Sequence, residues 1–114
     1  MLLIYGNDET WQQVYGEAYD AHMQAHRDLA AQLRESGEFV ASAGLTTAEA
    51  RTVRVRDDAT AVTDGPFTEA KEVLAGYYLV ECRSAERAAQ IAAMLPEARL
   101  NVVEVRRVMD PADM

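Results

Sequence analysis

The amino-acid sequence predicts one α+β domain in which strands and helices follow the ferredoxin-like order. Its 114 residues are enough for one core but not for two. Two segments have the periodicity of amphipathic helices, and apolar or alternating runs before, between and after them predict strands. With a central β-hairpin set aside, the order is βαββαβ, which predicts an antiparallel sheet with two helices on one face. We assign the domain to residues 1–109 and a short tail to residues 110–114.

The first three elements are a strand, a long helix and a second strand. Residues 1–5 are nearly all apolar, which predicts a strand at the centre of the sheet. Over residues 10–36, apolar side chains recur at three- and four-residue steps, which predicts a helix. Gly16 weakens its first turns, so the well-formed part should begin just after it, and Gly37 is a favourable C-cap. Residues 39–45 are predicted to form the next strand.

The second half of the chain begins with the inserted hairpin. Residues 52–56 alternate between apolar and charged side chains, an aspartate pair at residues 57–58 makes the turn, and residues 59–63 return as the partner strand. After it we expect a short helical turn capped by Thr68, a strand, a helix closed by Pro96, and a last strand. These four elements are placed at residues 69–74, 76–82, 84–95 and 100–108.

The predicted sheet has one face without helices. Two helices can cover only one side of it, yet the strands carry apolar side chains on both sides. An uncovered apolar face predicts a partner subunit, so we expect a homodimer that packs sheet on sheet.

Composition excludes several classes of function. The chain has 11 basic and 19 acidic side chains and a formal charge of −8, which disfavours direct binding to nucleic acid. Cys82 is the one cysteine, so no intrachain disulfide can form, as is usual in a reducing compartment. No apolar run approaches the roughly 18–20 residues that cross a bilayer, and the first residues lack the basic start of a signal peptide. We therefore expect a cytoplasmic protein without membrane contact.

The central segment has a specific motif. Residues 62–72 read VTDGPFTEAKE, and residues 74–81 read LAGYYLVE. Together with residues 2–6, the alternating run at 52–56 and the ending at 103–106, this pattern closely resembles the DGPF-motif branch of the YCII-related family. The resemblance covers nearly the whole chain.

This resemblance implies a ferredoxin-like fold that pairs into a homodimeric α/β barrel. It implies no settled activity. Broader relatives resemble small enzymes with a histidine and an aspartate in a pocket, and at least one is a dehydrochlorinase of a chlorinated aromatic. Members of the branch are often encoded beside extracytoplasmic-function sigma factors, which suggests a functional link to sensing or stress. By position, His26 matches the first-helix histidine of the family, and Asp64 matches the aspartate of the motif.

Both histidines face the predicted sheet. His22 and His26 lie about 40° apart on the apolar stripe of the helix, where an imidazole must find hydrogen-bond partners. Each can be a general acid or base at the mouth of a pocket, or a core or interface histidine bonded to a backbone carbonyl. For His22 we favour the structural role in the core or interface. For His26 the catalytic and the structural roles are equally compatible with the sequence.

The sequence is also compatible with two roles for Asp64. It can accept hydrogen bonds from backbone N–H groups in a turn that Gly65 and Pro66 continue. It can also orient His26 and stabilise its cation, as a carboxylate does in a catalytic triad. The two roles can coexist.

Metal binding is the weaker interpretation of the histidine pair. Two histidines four residues apart can bind a metal from one helix face, and Asp64 or Glu69 could be a third ligand. The glutamate that a metalloprotease places between such histidines is absent here. We expect no metal and no other cofactor.

Aromatic side chains suggest a cleft for a small aromatic or amphipathic molecule. Tyr77 and Tyr78 are neighbours in a strand, so one should face the helices and the other the dimer layer. Phe67 is either a ligand contact or an apolar plug beneath the turn. As candidate ligand contacts we take four residues, namely Tyr5, His22, Phe67 and Tyr77.

The sequence thus supports two functions. One is a cofactor-independent enzyme in which His26 moves a proton while Asp64 holds it, acting on a compact, aromatic substrate. The other is a non-catalytic module that binds a ligand or protein partner in a sigma-factor-linked or stress response. An enzyme should place His26 within one hydrogen bond or one water of Asp64 beside an open cavity, whereas a binding module should bond His26 to the backbone.

Overall fold

The computed structural model of the chain describes residues 1–67 and 72–114, and these ranges form an α+β structure. No helix within them combines the length and apolar character that a bilayer crossing needs. The elements, in chain order, are β1 (Leu2–Gly6), α1 (Asp8–Val14), α2 (Tyr19–Ser36), β2 (Phe39–Gly44), β3 (Arg51–Arg56), β4 (Ala59–Asp64), β5 (Val73–Val80), α3 (Ala85–Met94), α4 (Glu97–Leu100), β6 (Val102–Val105) and a 3-10 turn (Pro111–Asp113).

The main sheet has four antiparallel strands in the order β2-β5-β1-β6. This order and the two covering helices are consistent with the predicted ferredoxin-like fold. β1 is central, as its apolar composition predicted. The strands β3 and β4 form a separate two-stranded sheet, in register from Arg51 opposite Asp64 to Arg56 opposite Ala59.

The core lies between one face of the sheet and the helices α2 and α3. Leu2 and Ile4 of β1 and Tyr78 of β5 alternate onto this face, because neighbouring residues of a strand point to opposite sides. From the helices, the buried members of the cluster are Leu29, Leu33, Ile91, Ala92 and the adjoining Leu95. The helical stripes identified in the sequence therefore contact the sheet.

The first predicted helix is two helices. The side chain of Asn7 accepts a hydrogen bond from the backbone N–H of Thr10 at 2.9 Å, and the hydroxyl of Thr10 lies 3.2 Å from the N–H of Asn7. This capping box starts a helix at Asp8, earlier than predicted. Gly16 lies in the break between α1 and α2, and Gly37 ends α2 at a φ of 80°, as predicted for a C-cap.

Three boundaries in the second half differ from the predictions. The helical turn predicted for residues 69–74 falls partly on residues 68–71, outside the described ranges. Val73 and Leu74 belong to β5, because Gly6 and Tyr5 of the adjacent β1 pair with them. The helix predicted to close at Pro96 is followed at once by α4, so the last strand is β6 rather than residues 100–108.

The hairpin β3–β4 forms as predicted. Its turn residues, Asp57 and Asp58, have φ values of 50° and 63°, which match the mirror-image turns that join twisted strands. Val53, Val55 and Val62 share one face and remain 58%, 62% and 60% exposed in the single chain. Within the described residues of one chain, this apolar face of the hairpin is therefore largely exposed to solvent.

An ion pair joins the start of β2 to α3. Arg87 donates from Nε and Nη2 to the two carboxylate oxygens of Glu38, both at 2.9 Å, and the Ser36 hydroxyl donates to the same carboxylate at 2.8 Å. The hydrogen bonds from Arg87, and then that from Ser36, lower the pKa of Glu38 to about 2. The two residues of the pair are 49 positions apart in the chain, so the pair links distant parts of the sequence.

This ion pair predicts a pH-dependent contribution to stability. Because the folded pKa of Glu38 lies below the ordinary value of 4.5, its contribution is present above pH 4.5 and is lost as the pH falls towards 2. We expect Glu38→Gln to lower the free energy of unfolding near neutral pH, and the difference from wild type to shrink below pH 4.5. Urea unfolding at a series of pH values measures this. Glu35→Gln, on the exposed side of α2, should show no such trend, and a difference for Glu38→Gln that stays constant with pH would contradict the assignment.

Candidate functional site

The candidate site is centred on His26 in the middle of α2. Its Nδ1 lies 2.8 Å from the hydroxyl of Tyr78, and its Nε2 lies 2.7 Å from Oε2 of Glu97. His22, one turn earlier, places its Nε2 3.2 Å from the same carboxylate oxygen. The two imidazole rings meet edge to face, with 4.9 Å between their centroids. Four polar side chains therefore form one connected cluster.

Three local features of the sequence bring this cluster together. The four-residue spacing of His22 and His26 places both on the sheet-facing side of α2. The alternation of β5 directs Tyr78 to the same side and Tyr77 to the opposite face. Glu97 is the first residue of α4, which follows α3 and Pro96 directly. Its side chain extends to α2, where it contacts His26.

The electrostatics favour a charged carboxylate beside a neutral phenol. Burial alone would raise the pKa of Glu97, but the hydrogen bond from His26 and the nearby imidazoles lower it overall. Burial, and then the negative charge of Glu97, raises the pKa of Tyr78 to about 12. At neutral pH, Glu97 is therefore an ionised acceptor, and Tyr78 retains its proton.

A cavity of about 320 Å³ adjoins the cluster, between the α1–α2 segment and the sheet. His26, Tyr78 and Glu97 all contribute to its wall. Most of the remaining wall is apolar or aromatic, and its large side chains are Ile4, Trp11, Val14, Tyr15, Tyr19, Met23 and Leu100. An apolar cavity with a few converging polar groups is the usual form of a small-molecule site.

The structure brings together some of the predicted site residues but not all. His26 lines the cavity, and His22 contacts Glu97 beside it. Tyr5 borders the cavity, but its side chain lies on the other face of the sheet, where its hydroxyl donates to Glu104 at 3.2 Å. Tyr77 lies on the other face of the sheet, as expected for one of the two neighbouring tyrosines. The carboxylate beside His26 is Glu97, not the expected Asp64.

The two predicted residues of the DGPF motif lie at the hairpin. Asp64 ends β4 with its side chain 93% exposed, and it forms an ion pair with Arg51 at 3.2 Å. The ring of Phe67 is 54% exposed beneath the guanidinium of Arg54, so it is not a buried plug in the single chain. Within one chain, neither residue contacts the histidine cluster.

Sequence reasoning missed two contributors to the site. Glu97 follows Pro96 directly, and a carboxylate in the first turn of a helix usually indicates only a favourable interaction with the helix dipole. Trp11 belongs to α1, which was not recognised as a separate helix. The capping signature of Asn7 and Thr10 was the available signal for it.

Comparison with known proteins identifies relatives of this chain. A family model described as the YCII-related domain matches residues 1–111. An uncharacterised protein of Rhizobium meliloti (strain 1021) is 38% identical over 101 residues, which cover 85% of this chain and 79% of that protein.

The one tryptophan of the chain allows a test of the cavity wall. A Cβ atom at Gly6 would lie 2.5 Å from Nε1 of Trp11, so we expect Gly6→Ala to displace the indole. Its fluorescence emission should then shift to longer wavelength as the ring becomes more exposed. Gly44→Ala is the control, because Gly44 also lines the cavity but nothing lies within 4 Å of its added Cβ. Unchanged emission from Gly6→Ala would contradict this placement of the indole.

Proposed function

This chain belongs to the YCII-related family, and we propose that it binds a small aromatic molecule and transfers a proton through His26. The observation that carries the proposal is the chain of hydrogen bonds from Tyr78 through His26 to Glu97, which opens onto the cavity. The carboxylate in this arrangement is Glu97, in the role that the sequence analysis gave to Asp64.

The cavity wall supports an aromatic ligand. Trp11, Tyr15 and Tyr19 provide flat, polarisable surfaces on the helical side, and Tyr15 and Tyr19 already pack with 5.6 Å between ring centroids. Aromatic rings favour offset or edge contacts with other rings at such separations. The volume of about 320 Å³ suits a compact molecule of one or two rings.

The hydrogen-bonded chain supports proton transfer. When the hydroxyl of Tyr78 gives its proton to a bound molecule, a His26 that carries protons on both ring nitrogens can replace that proton from Nδ1 and become neutral. The carboxylate of Glu97 accepts a hydrogen bond from the opposite ring nitrogen and keeps the ring in this orientation. In the reverse direction, Tyr78 passes its own proton to Nδ1 of a neutral His26 as it accepts one from the bound molecule, so the same groups serve as acid or base.

The second candidate function is ligand binding without catalysis. Both ring nitrogens of His26 already have protein partners, which is also the arrangement of a structural histidine. In that case the aromatic cavity would act as a sensor, consistent with a role in a sigma-factor-linked response. The two candidates differ in what His26 contributes once a ligand is bound.

Hydrogen–deuterium exchange distinguishes these two functions. Aryl ketones that bind, detected by a change in Trp11 fluorescence, are incubated with protein in D₂O, and NMR follows exchange of their α-hydrogens. We expect His26→Gln to lower the exchange rate by about 10²- to 10⁴-fold, the usual contribution of a general acid or base. Ligand affinity should change only a few-fold. Tyr78→Phe and Glu97→Gln should lower the rate as well.

Asp58→Asn is the matched control, since this exposed turn residue has a backbone conformation that asparagine tolerates. Asp64→Asn decides between the two carboxylates, because a loss of exchange there would restore the sequence-based assignment. Binding without exchange, or exchange that survives His26→Gln, would favour the non-catalytic function.

We also propose that the protein is a homodimer that pairs through the open face of its sheet. That face carries Leu3 opposite Tyr77, whereas Leu2 and Tyr78 face the helices. The chain is flat, with extents of 49 × 45 × 18 Å. Its radius of gyration of 16.2 Å exceeds the roughly 13 Å of a globular domain of this length. A second copy would cover the open face and the exposed valines of the hairpin.

Tyr77→Glu tests this pairing. A charge at the centre of the buried interface should convert a dimer of twice the 12.6 kDa chain mass into a monomer, because an unpaired buried charge is costly. Sedimentation equilibrium measures the mass. Gln32→Glu, on the exposed side of α2, should leave the dimer intact. A wild-type protein that stays monomeric at high concentration would contradict the proposed homodimer.

A further inference from the structure

We propose that His22, His26 and Glu97 form a binding site for one divalent transition-metal ion. One donor atom from each of the three side chains lies within 4.8 Å of the donor atoms of the other two. The three side chains are only 12%, 17% and 16% exposed, so the cluster is shielded from bulk water. The inference stands on this geometry, independently of the proposed proton transfer.

The two separations between the carboxylate and the imidazoles are close to those of a tetrahedral site. Zn²⁺ holds histidine nitrogens and carboxylate oxygens at about 2.0–2.2 Å, which places neighbouring ligand atoms about 3.3 Å apart. The distances from Oε2 of Glu97 to the two Nε2 atoms are 3.2 Å for His22 and 2.7 Å for His26. An outward shift of the carboxylate by a fraction of an ångström would admit the ion.

An unsatisfied oxygen is a second, independent indication. Oε1 of Glu97 is buried and has no hydrogen-bond partner within residues 1–67 and 72–114. A buried polar atom without a partner destabilises the folded state, and native structures seldom retain one without a reason. A cation between the histidines and this carboxylate would neutralise its charge and reduce this destabilisation.

Tyr78 supplies the outer contact that metal-bound histidines usually have. When Nε2 of His26 binds a metal, Nδ1 must carry the proton and can donate it to the Tyr78 oxygen at 2.8 Å. The Tyr78 hydroxyl can in turn donate to the backbone carbonyl of His26, 3.5 Å away. Both hydrogen bonds therefore fit the tautomer that metal binding requires.

The donor set selects the class of ion. Two imidazoles and one carboxylate suit Zn²⁺ and similar first-row ions, whereas Mg²⁺ and Ca²⁺ prefer oxygen ligands only. Because His26 and Glu97 line the cavity, the remaining coordination position faces it and can hold water or a ligand atom. A bound ion also occupies Nε2 of His26, so this ring could not carry protons on both nitrogens, and metal binding and the proposed proton transfer exclude each other.

Metal titration without any organic ligand tests the inference. Protein freed of metal by a chelator is titrated with Zn²⁺ by calorimetry, and with Co²⁺ while its visible absorption is recorded. We expect one ion per chain and the intense absorption of tetrahedral Co²⁺. His22→Ala should weaken Zn²⁺ binding by at least about 100-fold, since loss of an outer contact alone typically costs 10- to 100-fold. Glu97→Gln, which preserves the shape of the side chain, should have a similar effect.

Gln24→Ala is the matched control, because it lies on the exposed side of α2 between the two histidines. It should bind Zn²⁺ as wild type does, and circular dichroism confirms that each variant is folded. Equal affinity in wild type, His22→Ala and Glu97→Gln would overturn the inference, as would the absence of Zn²⁺ binding. Either result would leave the exchange experiment with aryl ketones to decide the proposed proton transfer separately.

Discussion

The packing of α2 against the central strands is the contact on which the candidate site depends. Leu29 and Leu33 fix the rotation of the helix by burying their side chains against Leu2 and Ile4 of β1. Because a helix repeats about every 3.6 residues, that rotation also sets the direction of His22 and His26. The same apolar contact that holds the layers together thus orients the polar cluster. A site built on a rigid helix keeps its geometry better than one built on loops.

Glu97 is the polar counterpart of that contact. A carboxylate that is largely withdrawn from water is stable as an anion only with donors or cations around it. Two imidazoles approach the same oxygen of this carboxylate, while its other oxygen lacks a partner among the described residues. The proposed cation site rests on this asymmetry, and the proposed proton transfer rests on the hydrogen bonds from Glu97 through His26 to Tyr78. Both proposals for the cluster therefore depend on one incompletely satisfied anion.

Local patterns made most of the fold predictable. The central strand β1, the C-cap at Gly37 and the turn at Asp57 and Asp58 follow from the immediate neighbours of each residue. The boundaries of β5 and β6 depend instead on pairing with β1, which lies far away in the chain. No local pattern could reveal that strand pairing would extend to Val73.

Local patterns also made only part of the candidate site predictable, namely the part that lies on one helix. The orientation of His22 and His26 follows from helical periodicity alone. Their carboxylate partner lies 71 residues beyond His26, and only the three-dimensional arrangement selects Glu97. The motif aspartate was the better candidate by resemblance, but in one chain it lies on the hairpin, which forms its own sheet.

The position of β1 between β5 and β6 has a consequence for folding kinetics. Leu2 pairs with Tyr78 on one side and with Val105 on the other, so the earliest strand synthesised closes the sheet with the two latest. Contacts this distant in sequence carry a large loop-closure entropy and slow the search for the native topology. During translation, α2 and the hairpin can emerge and form local structure. The apolar layer beneath them can close only when almost the entire domain has left the ribosome, and until then its surfaces are candidates for chaperone binding.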